Sequence, residues 1–305
     1  MIQFYPAKHI LHRTKSLDWF GAEYIVNLYR GCSHGCIYCD SRSSCYQDLN
    51  FDIIKPKRNA ISILESELVT KRKSGIIDTG AMSDPYNPLE RQLNLTKQFL
   101  RLAEKYGFGV SITTKSQLIE RDIEILKAIS THHPVICELT ITTDYDALSK
   151  VIEPFAPPSS LRFSTLERLS KAGLFSGIVL MPVLPFLEDY DKNIIRLVEH
   201  ASAVGASFIY PYFGVTLRDN QRDYYFSKLD AAFPRYQFVS QYISSFGNSY
   251  ECISPRFQEI KSLFEDLCCK HNILYNMCDI IEKYQSPYIQ KQLSLFDTTS
   301  INVFK

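Results

Sequence analysis

The sequence predicts an α/β fold: about six β-strands alternating with helices, followed by a more helical C-terminal part. Two observations carry this. Short runs rich in Ile, Val and Thr recur along the first two-thirds of the chain, each followed by a longer stretch with helical spacing. The runs are also apolar on both faces, as strands of a parallel sheet covered by helices must be. Parallel neighbours need crossovers of helical length, and the spacing supplies them. Two architectures satisfy this pattern, an open doubly wound sheet and a barrel. About six units fall short of a closed eight-unit barrel. In either case ligands gather at the C-terminal ends of the strands.

The elements follow in order. Tyr24 to Leu28 reads as the first strand. Asn59 stands before a helix through Ile63, Leu64, Leu68 and Val69, whose spacing makes one apolar face. Ile76 to Thr79 is the next strand, ended by Gly80. A helix from Leu95 to Tyr106 groups Phe99, Leu102 and Ala103, and Gly107 stops it. Gly109 to Thr114 is a strand, Glu120 to Ile129 a helix, and Val135 to Thr142 a strand. Ser160 to Ala172 is a helix ended by Gly173, and Ile178 to Met181 a strand ended by Pro182. Ile194 to Val204 is a helix ended by Gly205, and Ser207 to Tyr210 the last strand. After Pro211 the texture changes. Arg218 to Phe246 is rich in Tyr, Phe, Arg and Asp, and Pro255 to Lys270 and Tyr275 to Tyr284 read as two helices. The expected organisation is an α/β core over residues 1–212, a mainly helical extension over 213–285 packed on it, and a polar tail over 286–305.

Composition excludes several classes. The 305 residues carry 34 Lys+Arg against 33 Asp+Glu, so bulk electrostatic attraction to nucleic acid is not expected. An apolar content of 45% with 22% charged residues is globular, not disordered. The first residues, Met1 to His9, lack the basic start and apolar run of a secretory signal. The most apolar stretch, Gly177 to Leu187, is too short for a bilayer and contains Pro182 and Pro185. A cytoplasmic location and no membrane partner are expected. Nine cysteines cannot all pair within one chain, and in a reducing compartment clustered ones point to metal or catalysis.

The strongest local signal is Gly31-Cys32-Ser33-His34-Gly35-Cys36-Ile37-Tyr38-Cys39, directly after the first strand. Three thiolates at this spacing can converge on one inorganic centre, and soft thiolates suit zinc or an iron–sulfur cluster. A closed site wants a fourth ligand, for which only His34 or Cys45 stands nearby. Three ligands alone leave one iron of a four-iron cluster open for chemistry. A Cys3His zinc site, and three unrelated buried thiols, are the competing readings.

The pattern Cys32-x3-Cys36-x2-Cys39, with Tyr38 before the third cysteine, resembles the radical S-adenosylmethionine superfamily. The resemblance implies a partial (β/α)6 barrel with Cys32, Cys36 and Cys39 holding a [4Fe–4S] cluster. Its open iron chelates S-adenosylmethionine, and an electron donor such as a flavodoxin or ferredoxin drives formation of a 5′-deoxyadenosyl radical. Further segments narrow the branch: Gly80-Ala81-Met82-Ser83-Asp84-Pro85, Thr114-Lys115-Ser116, Glu153-Pro154, Lys171-Ala172-Gly173 and Met181-Pro182. In this order they are similar to the spore-photoproduct-lyase-like, or DNA-repair-photolyase-like, branch, over roughly residues 24–212.

Residue by residue, Ser83 and Asp84 offer acceptors for the ammonium or ribose of S-adenosylmethionine, and their alternative is a turn. Lys115 pairs with the carboxylate or is a solvated lysine. Met181 and Tyr38 lie against the adenine, or close an apolar strand end and cover the cluster. Glu153 and Arg162 are rim residues that bind cofactor or brace loops. One departure stands out: where spore photoproduct lyase has a hydrogen-donating cysteine three residues before the aspartate, this chain has Ala81. The substrate class implied is a lesion or base in nucleic acid, with a protein or small molecule as the alternative.

Other features have weaker claims. Cys252, Cys268, Cys269 and Cys278 are candidates for a second metal centre, but adjacent Cys268 and Cys269 on a helix point about 100° apart. The basic clusters Lys55–Arg58 and Lys71–Lys73, with Tyr224, Tyr225, Tyr236 and Tyr242, are either a nucleic-acid groove or ordinary surface and core. Gln292-Leu293-Ser294-Leu295-Phe296 looks like the pentapeptide by which bacterial replication and repair proteins bind the DNA sliding clamp. A zinc-stapled, clamp-binding adaptor without radical chemistry is the rival from another class.

Overall fold

A computed structural model describes residues 2–48 and 50–288. The clamp-like pentapeptide, residues 292–296, lies outside the described residues. Strand β1 (Leu11–Arg13) pairs antiparallel with β2 (Tyr24–Val26). A two-residue strand, β3 (Tyr29–Arg30), leaves that sheet and pairs with β4 (Lys55–Pro56). The core then runs α1 (Ala60–Val69), β5 (Ile76–Thr79), α2 (Glu90–Leu93), α3 (Leu95–Tyr106), β6 (Gly109–Thr114) and α4 (Ile123–Ser130). It continues with β7 (Val135–Thr140), α5 (Asp146–Ile152), α6 (Ser159–Lys171), β8 (Ser176–Leu180), α7 (Asp191–Ala203) and β9 (Phe208–Pro211). The rest is β10 (Gly214–Thr216), α8 (Asp219–Ala232), α9 (Phe238–Phe246), β11 (Glu251–Ile253), α10 (Phe257–His271) and α11 (Met277–Gln285).

The strand order decides between the two architectures. The main sheet runs β1-β2-β5-β6-β7-β8-β9, parallel throughout except at the β1 edge. The order never reverses, so there is no switch point of the doubly wound kind. Successive right-handed crossovers in one direction put the helices on one face and curl the sheet around the other. β1 and β9 are not neighbours, so the curl is an open, partial barrel with six parallel strands.

Two faces of the sheet bury different layers. Outward side chains such as Ile112, Cys137, Leu139, Ile178 and Leu180 pack under the helices with Phe99, Leu126, Phe163, Leu166 and Leu197. Inward, Ile76, Ile136, Val179 and Phe208 meet Phe20, Ile280 and Tyr284, so the Trp19–Phe20 segment and α11 close the lower end of the barrel. Helices α8 and α9 with the antiparallel β10–β11 pair form a third apolar cluster, whose Val215, Leu217, Tyr225 and Tyr242 pack on Cys36, Ile37 and Tyr38. Among the described residues, no helix is long and apolar enough to cross a membrane.

Several local expectations need correction. The first strand ends at Val26, not Leu28, because the Leu28 carbonyl accepts from Lys57 N at 2.9 Å and draws the chain out of the sheet. The strand expected to reach Thr142 ends at Thr140. The helix expected from Glu120 begins as a 3₁₀ turn over Gln117–Asp122, with Ser116 accepting from Leu118 N. The seven-residue helix α5 was not expected; it is too short to show a periodic face. The aromatic stretch after Arg218 forms α8 and α9, with Tyr225 and Tyr242 buried and Tyr224 half-buried.

Candidate active site

The cysteine loop is held from several sides. Gly31 has φ +78, and a Cβ there would sit 2.4 Å from the Ile53 carbonyl oxygen, so the backbone turn excludes a side chain. Cys32 N donates to Phe51 O at 2.8 Å, Ile37 N to Ile152 O at 2.9 Å, and Phe155 N to His34 O at 3.0 Å. All three cysteines line one cavity of about 110 Å³, together with Ser83, Asp84, Thr114 and Lys115. Burial pushes the thiols up, Cys32 and Cys39 to about 11 and Cys36 to about 12. Alone they would stay protonated at neutral pH. A cationic metal centre is what makes thiolates in such a place.

Asp84 anchors this loop to the strand ends. It is buried and accepts four hydrogen bonds: His34 Nε2 at 2.9 Å, Thr114 Oγ1 at 2.7 Å, Lys115 N at 2.9 Å and Tyr86 N at 2.8 Å. Burial alone would raise its pKa, but His34 and these donors outweigh burial and hold it at about 2. Ser83 Oγ donates to Gly31 O at 2.5 Å. The side chains of Ser83 and Asp84 thus bind protein groups, and what they offer a ligand is the cavity wall.

A second buried cluster flanks the first. Tyr38 donates its hydroxyl to Glu153, and Glu153 is in ion-pair contact with Arg162. Arg162 is fully buried and also donates to Pro157 O at 2.6 Å and Thr140 O at 3.0 Å. Lys115 Nζ lies 3.6 Å from Glu153 and 5.9 Å from the Tyr38 ring centroid. Burial works against the Lys115 charge, but Cys36 and Glu153 outweigh it and hold its pKa above the usual lysine value. Glu153 is kept below the carboxylate range against burial by Arg162 and Lys115.

Below the loop lies a larger cavity of about 440 Å³ inside the barrel. It shares Gly80, Ala81, Thr113, Lys115 and Thr140 with the cysteine cavity, so the two adjoin. Met181 lines its wall with Trp19, Ile25 and Val179. Ala81 lines both cavities and brings no thiol to either. One polar residue absent from the sequence expectations lines it, Asp78 on β5, linked through Ser111 on β6 to Glu138 on β7. A charged residue inside a strand as apolar as Ile76–Thr79 is the signal that could have marked it.

The remaining candidates separate. Cys45 is exposed and Cys137 is core. Cys252 and Cys268 are buried, whereas Cys269 and Cys278 are exposed. Among the described residues no three His, Cys, Asp or Glu side chains converge tightly enough for a single ion. Tyr225 and Tyr242 are core residues joined through their hydroxyls at 2.9 Å, so they do not face a nucleic-acid groove. Lys55 is committed to Asp48 at 3.1 Å, Arg42 lies over the Tyr224 ring at 4.0 Å, and Tyr236 is exposed and stacked on Phe238.

A three-cysteine loop thus stands at the strand ends of an open parallel barrel, beside a cavity in its lumen. The chain belongs to the radical S-adenosylmethionine superfamily: the Radical SAM superfamily profile matches residues 26–198. Among its relatives, an uncharacterized protein of Mycobacterium tuberculosis is 31% identical over 244 residues, 77% of this chain and 70% of that protein. An uncharacterized protein of Methanocaldococcus jannaschii is 32% identical over 178 residues, 57% of this chain and 65% of that one. The fold is similar to that of a tyrosine-to-phenylalanine mutant of spore photoproduct lyase, with TM-score 0.63 at 12% identity, covering 88% of this chain and 78% of that one. A spore photoproduct lyase structure complexed with dinucleoside spore photoproduct gives TM-score 0.61 at 13% identity, over 87% and 77% of the two chains. The protein is therefore a radical S-adenosylmethionine enzyme, and its family implies both that cofactor and a [4Fe–4S] cluster.

Proposed function

We propose that Cys32, Cys36 and Cys39 hold the cluster, and that the enzyme acts on a base or lesion in nucleic acid within the barrel lumen. The observation that carries this reading is the junction of the two cavities: the three thiols line one, and shared walls lead directly into the other. When bound, the cluster and S-adenosylmethionine supply a 5′-deoxyadenosyl radical upon one-electron reduction.

The chain's own residues supply position and shielding. Asp84 fixes the loop through His34. Lys115 presents a buried positive charge to the shared wall, where it suits the carboxylate of S-adenosylmethionine. Tyr38, tied to Glu153, covers the cysteines from the side of α8 and α9, and the apolar wall of Trp19, Val179 and Met181 keeps water from the lumen. Nucleic acid as the substrate class is supported by likeness of fold to a lyase whose structure holds a dinucleoside photoproduct. Ala81 sets a boundary on that likeness, because no thiol stands there to return a hydrogen atom.

The test is anaerobic reconstitution with iron and sulfide, followed by reduction with S-adenosylmethionine present. Wild type should hold iron and sulfide and release 5′-deoxyadenosine, and Cys36→Ala should do neither. Tightly held zinc without iron, or undiminished release by Cys36→Ala, would defeat the assignment. Turnover of damaged DNA, followed by product analysis, then addresses the substrate.

A further inference from the structure

Deep in the lumen, three strands place acids in a chain. Ser111 Oγ on β6 lies 2.9 Å from Asp78 Oδ1 on β5 and 2.8 Å from Glu138 Oε1 on β7. Thr113 Oγ1 donates to Glu138 Oε2 at 2.5 Å. Asp78 is 1% exposed and Glu138 0%, yet no Lys or Arg pairs with either among the described residues. Burial pushes both carboxyls above their usual range, and the Asp78 charge raises Glu138 further. None of these groups takes part in holding the cysteine loop, so their burial cost is not explained by the site already described.

One further observation points to a ligand. Asp78 lines the 440 Å³ cavity, and its Oδ2 has no hydrogen-bond partner among the described residues. Trp19, Val179 and Met181 line the same cavity. The lumen therefore has apolar walls and an acid with a free oxygen, a combination suited to a flat heterocycle bearing hydrogen-bonding atoms on its rim.

We propose that Asp78, positioned through Ser111 by Glu138, recognises the hydrogen-bonding edge of a nucleobase admitted to the lumen. The inference rests on the nucleic-acid reading above and adds to it the residues that read the base. Asp78 offers its free Oδ2 to the lumen, and a nucleobase edge carries hydrogen-bonding atoms that can meet it, whereas phosphates present like charge to an acid. Lys115 lines the same cavity. Cys137 and the Tyr284 hydroxyl are the other titratable groups that sense the pair.

The test compares a short fluorescent oligothymidylate with an abasic strand of equal length, by anisotropy, on the reconstituted full chain. Wild type should prefer the base-bearing strand. Asp78→Asn and Ser111→Ala should each lose roughly tenfold or more of that preference, leaving the abasic strand bound as before. Ser111→Ala keeps both carboxyls, so it reports even if Asp78→Asn fails to fold. Equal discrimination by wild type and both variants would overturn the inference while leaving the nucleic-acid reading intact. Wild type binding neither strand would overturn the nucleic-acid reading itself, and the inference with it.

Discussion

The side-chain amide of Gln221 donates to the backbone carbonyl of Tyr38 at 2.9 Å. This bond ties helix α8 to the middle of the cysteine loop, across 183 positions of sequence. The same amide also donates to Thr216 O at 3.2 Å, and Gln221 is completely buried. Neighbouring bonds run parallel to it: Ser43 Oγ to Asp219 at 3.0 Å and Arg218 to Asp40 at 2.5 Å. The C-terminal extension is thus one wall of the site, and α8 clasps the loop through these bonds.

Gln221→Ala should loosen that wall. It leaves the Tyr38 carbonyl without its donor in a buried place, a cost of about 1–3 kcal/mol. The expected result is faster loss of iron during chelator challenge, with the far-ultraviolet circular dichroism unchanged. Iron release at the wild-type rate would show that the loop holds its shape without α8.

Asp84→Asn should act on the loop from the barrel side. The carboxylate serves four donors at once, and the amide presents one oxygen and an NH2 that faces donors. Reconstituted Asp84→Asn should bind less iron and sulfide per chain than wild type, and its melting temperature should fall. Full iron content in this variant would show that His34 and Thr114 position the loop without a charge between them.

Glu153→Ala should be the most destabilising of these changes. It removes the partner of a fully buried Arg162, the acceptor of the Tyr38 hydroxyl and the counter-charge of Lys115. Breaking a buried pair by deleting one member costs about 3–5 kcal/mol, because an uncompensated charge remains. Urea denaturation should show the loss. Replacing both partners, as Glu153→Leu with Arg162→Met, should recover part of it, and a double variant no better than Glu153→Ala would refute the uncompensated-charge explanation.

The legible parts of this protein are those that depend on local chain chemistry. The six strands were readable because each is a short run rich in β-branched and apolar residues, and several helix ends because a glycine in the left-handed region stops the helix, as Gly107 does at φ +72. Cys32, Cys36 and Cys39 were readable because their spacing within one loop already brings the thiols together. The short elements were not readable. β1, β3, α5 and the β10–β11 pair are held by partners outside their own segments, and two to seven residues carry no period of their own.

The sequence by itself determined the α/β class, the count of parallel strands and the three-cysteine loop, since each follows from residue types at short range. Periodicity left an open sheet and a barrel both standing; the partial barrel was implied only by the resemblance the cysteine loop carries, and the strand order of the tertiary structure bears it out, because strand order is a long-range property that periodicity does not encode. The tertiary structure alone showed that Asp84 is spent on His34, Thr114 and two backbone amides, and that α8 walls the cysteines. It also brought Asp78, Ser111 and Glu138 into one chain. Those residues come from three separate strands, and only the parallel register that sets Asp78 beside Ser111 and Ser111 beside Ile136 makes them neighbours in the lumen.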